Sequence, residues 1–150
     1  MYSYTQEVAE KLNNLLEKNY DAVKGYETAA NNVKSESLTN FFNRRANERK
    51  DFGKELKAEI TSFNQKPDKG GSITGKAHRM WMDTKAFFSN EDEEAMLEEA
   101  LRGEKAALEE YNEVINSELH LPESTLNLIK SQRDMILNDA IFVKKLEEVE

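Results

Sequence analysis

"NERKDFGKEL", residues 47–56, sets Phe52 and Leu56 four positions apart and places Glu48 four positions before Phe52. That step is helical, and it puts a carboxylate in line with apolar side chains. Extended outward, the same stripe takes in Leu38, Phe41, Arg45, Glu48, Phe52, Leu56 and Phe63. Asp51 follows Glu48 by three residues, the spacing at which helical metal sites carry a Glu-x-x-His pair, here with Asp in the second place. The reading of this stretch decides two things: a long amphipathic helix, and a polar group on its buried side.

The rest of the chain repeats the pattern. Val8, Leu12, Leu15, Asn19, Val23, Tyr26, Ala30 and Val33 form a first stripe, opened by a Ser3–Gln6 capping box. "VKSESL" (33–38) interrupts it, with Ser35 or Ser37 to cap the second helix. "NQKPDKGGS" (64–72) reads as loop, and the segment after it, containing His78, Trp81 and Phe87, as a short extra helix. Asn90 and Glu93 offer a capping box for a third long helix bearing Leu97, Leu101, Glu104, Leu108, Tyr111 and Ile115. Pro122 stands near the start of a fourth, striped by Ile129, Gln132, Ile136, Asp139 or Ala140, Val143 and Leu146. Gly25 in "KGYETAA" and Gly103 in "RGEKAAL" echo one another and point to close helix approach. Short links join the first helix to the second and the third to the fourth, and the middle connection is long. One long crossover is the mark of ferritin-like bundles. The expected fold is therefore all-α: a ferritin-like four-helix bundle over residues 1–150, with a short fifth helix in the crossover.

Composition narrows the function. The 150 residues have a net charge of −8, no cysteine, 38% hydrophobic and 33% charged residues. An acidic chain is a poor match for nucleic acid or an anionic membrane surface. Without cysteine there is neither a disulfide frame nor a thiolate metal site. The N-terminus has no secretory pattern and no segment has the length of apolar run that spans a bilayer, so a cytoplasmic location is expected.

Glu48 and Glu104 both fall on inward stripes, and a carboxylate in a bundle core needs a partner or a cation. One reading is a carboxylate-bridged pair of metal ions, iron or manganese, with Glu48 and Glu104 bridging, Asp51 in the place of a histidine, Glu27 from the first helix and Gln132 from the fourth. Its donor set is thin, because neither His78 nor His120 lies in a long helix. The other reading pairs Glu48 and Glu104 with Arg45, Arg49 or Arg102, or with Tyr26 and Tyr111, as a register-fixing core without a cofactor.

Five stretches carry a resemblance: "YDAVKGYETAANNVK", "FFNRRANERKDFGKELKAEI", "GSITGKAHRMWMDTKAFF", "LEEALRGEKAALEEYNEVI" and "ILNDAIFVKKL". Together they resemble a bacterial ferritin-like four-helix-bundle family of unassigned function, grouped with stress-associated genes. The resemblance implies a ferritin-like bundle and no established reaction. It also implies a histidine on the fourth helix where this chain has Ala140, which weakens the metal reading. The leading expectation is a non-enzymatic bundle, dimeric, with a stress-related or interaction role. The alternative is a di-metal protein handling iron, oxygen or peroxide. A third idea, a scaffold for partner helices, requires an exposed apolar patch.

Overall fold

A computed structural model describes residues 3–69 and 93–149, with side chains as far as residue 146. Four α-helices fill the described residues and no strand occurs among them: α1 (Tyr4–Asn32), α2 (Glu36–Ser62), α3 (Glu93–Ile115) and α4 (Glu123–Val149). The short helix expected in the crossover, His78, and the capping role expected of Asn90 lie outside the described residues.

Local chemistry sets the helix ends. Ser3 accepts from the Gln6 N–H while the Gln6 side chain bonds back to Ser3 N–H, so the expected capping box forms. Of the two serines offered for α2, Ser35 is the cap, accepting from Leu38 N–H at 3.3 Å. At the other end of α2, Asn64 enters the left-handed region at φ 58°. Gln65 N–H then returns to Ile60 C=O, which closes the helix with a residue type that tolerates this conformation.

Contacts between elements fix their directions. The three residues 33–35 turn α1 back along α2, and α3 turns back along α4 in the same way. Ser35 N–H bonds the Glu93 carboxylate at 3.2 Å, so α2 and α3 begin at the same end of the bundle. Thr125 donates to Glu59 at 3.0 Å, which brings the start of α4 beside the end of α2. The order of directions is therefore up, down, down, up. α1 packs on α2 and α3, and α2 reaches α4 through side chains, so α1 and α4 stand diagonally opposed.

The apolar core is split. One cluster, around Tyr26, Phe41, Phe42, Met96, Leu97 and Val143, lies towards the α1–α2 turn. The other, around Leu12, Leu16, Leu56, Ile60, Ile129 and Ile136, lies towards the far end. Between them runs a polar layer. Among the described residues no helix is long and apolar enough to cross a membrane.

Gly53 belongs to the opening stretch and is buried against α1, where a Cβ would meet Leu16 Cδ1 at 3.6 Å, an ordinary contact. Glycine inside a helix costs about 1 kcal/mol against alanine. Gly53→Ala is expected to raise the unfolding free energy by about 0.5–1 kcal/mol in urea titration, and a loss of stability would show that the α1–α2 approach is tighter than this contact.

Candidate functional site: a buried charged layer

Arg49 is the centre of the layer. Its side chain is 0% exposed, as is that of Glu104, and the Arg49 Nη2 donates to Glu104 Oε1 in a buried ion pair. Nη1 donates to Asn19 Oδ1 at 3.1 Å, and the guanidinium carbon lies 5.8 Å from the Phe52 ring centre. Because an arginine only donates, Asn19 must turn its oxygen to it and its amide nitrogen away. That nitrogen bonds Leu15 C=O and the Tyr111 hydroxyl, each at 2.9 Å. Tyr111 in turn donates to Gln132 Oε1 at 2.6 Å. Gln132 Nε2 then reaches Phe52 C=O and the Glu55 carboxylate at 3.3 and 3.1 Å. The chain of bonds starts on α3, passes through α2, α1, α3 and α4, and closes on α2.

A second cluster sits beside it. Arg45 Nη1 bonds Glu48 Oε2 and Asp139 Oδ1, both at 3.0 Å, and its guanidinium lies against both rings of the Phe41–Phe142 pair. Glu48 Oε1 and Asp139 Oδ2 are buried and have no donor among the described residues. Burial pushes the Asp139 carboxyl up to about 8, reinforced by its hydrogen bond to Glu48 and by the Glu48 charge, against the pull of Arg45. At neutral pH Asp139 therefore carries a proton and can donate towards Glu48.

The same layer moves other groups. Burial raises the Glu104 carboxyl, opposed by Arg49 and the Tyr26 hydroxyl. Burial raises Tyr26 well above its ordinary value, helped by the Glu104 charge. Tyr111 is pushed up to about 12 by burial. Burial alone would lower Arg49, yet Glu104, Tyr26 and Tyr111 raise it, so it stays a cation. Chemically, the arrangement fixes one guanidinium in a desolvated frame and stores one proton beside it.

The structure separates the five residues read from sequence. Glu104 and Gln132 are buried in the layer, and Glu48 lies at its edge with 14% side-chain exposure, close enough to act on Glu104. Glu27 is half-exposed and bonds Lys50 at 3.0 Å on the surface. Asp51 is exposed. Of the three arginines offered as partners for the inward carboxylates, Arg49 takes Glu104, Arg45 takes Glu48, and Arg102 pairs with Glu99. Asn19, Tyr111 and Asp139 stand on the inward stripes, but helical spacing alone does not join them into one network. The signal for Arg49 was the seven-residue step Phe42–Arg49–Leu56, all three buried, which runs one position beside the stripe through Arg45 and Glu48.

Removing one member of a buried pair strands the other. Arg49→Met alone is expected to cost about 3–5 kcal/mol in urea unfolding, whereas Arg49→Met with Glu104→Leu recovers most of it. Additive costs in that double-mutant cycle would show that the two side chains do not act as a pair. The Asp139 shift gives a pH dependence of definite sign. Its folded value lies above the unfolded one, so the folded state binds the extra proton between about pH 4 and pH 8. Its contribution is present at low pH and is lost as pH rises through 8. Asp139→Asn keeps a donor for Glu48 without the ionisation. It is expected to flatten this slope and stabilise the fold by about 1–3 kcal/mol at pH 8.5, as read by urea titration at pH 5, 7 and 8.5.

A comparison with curated proteins finds no match. Residues 7–117 match a family described as Domain of unknown function (DUF2383). The match takes in α1, α2 and α3, and with them Asn19, Tyr26, Arg45, Glu48, Arg49, Glu104 and Tyr111. On that share of its length, the chain belongs to the DUF2383 family, a family of unknown function.

Proposed function

We propose that this protein is a ferritin-like bundle that acts by binding other protein surfaces, and that its buried charged layer is a structural centre and not a metal-oxidation site. The up, down, down, up order with one long crossover supports the ferritin-like assignment. The observation that carries the rest is the place of Arg49. In a bundle whose core carboxylates face one another, a cation is needed, and here the guanidinium supplies it on Glu104. The donor set does not fit a pair of metal ions. Glu27 is engaged by Lys50, Asp51 faces solvent, and Gln132 has its oxygen on Tyr111 and its nitrogen on Phe52 and Glu55. The setting we assign is the cytoplasm, in the stress-related role that the sequence resemblance implies.

Loading the purified protein with Fe(II) or Mn(II), followed by desalting and elemental analysis, tests this reading. The expected result is no stoichiometric metal. Stoichiometric binding that disappears in Glu48→Ala and Glu104→Ala would overturn it in favour of the di-metal alternative.

A further inference from the structure

The middle of α4, from Met135 to Val143, carries large apolar side chains on its outer flanks as well as on its core side. Ile136, Ala140 and Val143 face the core and are buried, but Met135, Leu137, Ile141 and Phe142 are exposed at 43, 44, 48 and 43%. At about 100° per residue they fall into two pairs on opposite flanks, with exposed Asn138 between them. Met135 and Phe142 lie beside α2, where Phe142 packs on Phe41, and Leu137 and Ile141 lie on the flank away from it. No described part of the chain covers that flank. The residues that leave α2 are tied to α1, through Asn13 with Lys66 and Asp68 and through Tyr20 with Asp68. That is the helix diagonally across the bundle.

We propose that this face docks on the same face of a second copy, with the two α4 helices antiparallel. The inference gives the binding role proposed above a specific surface and partner. What identifies the occupant is the spacing of charge about that flank. Leu137 and Ile141 stand one turn apart, Asp134 lies three residues before Leu137, and Lys144 lies three after Ile141. Reversing the helix maps each of these positions onto its opposite number. An antiparallel pair therefore sets Leu137 on the partner's Ile141, and Asp134 on the partner's Lys144, twice by symmetry. A parallel pair would stack lysine on lysine. Asp134 has a side chain 64% exposed, and its present bond is to the neighbouring Arg133 at 2.8 Å, so it is open to a second cation. Lys144 and Lys145 are both exposed. The stripe from Asp134 to Lys144 is about 15 Å long, so the pairing buries less than the interface of a specific, stable complex. The dimer is accordingly one that dissociates on dilution.

Sedimentation or light scattering of the full chain, from micromolar to near-millimolar concentration, is the test. The expected result is a mass that rises from one chain to two. Leu137→Asp with Ile141→Asp should leave a monomer whose helical circular dichroism is unchanged. Asp134→Lys should weaken the dimer at least tenfold, and adding Lys144→Asp and Lys145→Asp should restore it. A monomer at every concentration, a dimer indifferent to Leu137→Asp with Ile141→Asp, or a charge reversal that restores nothing would overturn the antiparallel pairing. None of these outcomes bears on the metal test, so the two readings fail separately.

Discussion

Everything in the interior of this bundle is arranged around the contact between Arg49 and Glu104. Neither charge touches water, and neither could be buried alone without a penalty of several kcal/mol. The pair therefore dictates what surrounds it. Asn19 must present its oxygen to Arg49, which turns its nitrogen to Tyr111, which points the phenol at Gln132, whose amide then reaches the α2 backbone. Each donor decides the orientation of the next. An apolar core tolerates small slips of one helix along another, whereas this chain of bonds tolerates none, since a shift of one residue leaves several buried groups unmatched. The cost in stability is exchanged for a single register of all four helices.

The two apolar clusters make that exchange affordable in physical terms. Tyr26, Phe42 and Met96 close the layer on one side, and Leu16, Leu56 and Ile136 on the other. They exclude water from both groups, so desolvation lifts Glu104 against the pull of Arg49, while the Glu104 charge keeps Arg49 a cation. Arg45 works under different conditions at the edge of the same layer. With a side chain 20% exposed, it shares one nitrogen between two carboxyl groups and leaves a proton on Asp139. Two arginines one turn apart thus meet carboxylates in different ways, because one is dry and the other is not.

Much of this was legible in the residues. The periodicity through Val8, Leu12 and Leu15, and through Leu97, Leu101 and Leu108, gives helices wherever the chain is described, and Ser3 and Ser35 mark two of their starts. Glu104 was read as buried because its four-three-four spacing leaves it no other face. Glu48 and Arg45 were placed on the seam by the same count, and the structure sets them at its edge, with Arg49 at its centre. The difference is about 100° of helix rotation per residue, which a stripe with several charged members does not resolve. Long side chains blur it further, since an arginine can carry its charge well away from its own Cα. Asn19 and Gln132 were visible as polar interruptions of apolar stripes, but the bond order that joins them depends on which helices become neighbours. That depends in turn on the crossover and on the direction of α3, which no local pattern encodes.

The residues that match the family end at 117, and they include every member of the layer that comes from α1, α2 and α3. Helix α4 brings Gln132 and Asp139, the side chains that close the bond chain and hold the proton, and it also carries the exposed apolar side chains. The two sides of α4 are mechanically joined. Phe142, 43% exposed, lies 5.3 Å from the Phe41 ring and 5.9 Å from the Arg45 guanidinium that holds Asp139. Whatever covers Phe142 removes water from Arg45 as well, and desolvation strengthens its hold on both Glu48 and Asp139.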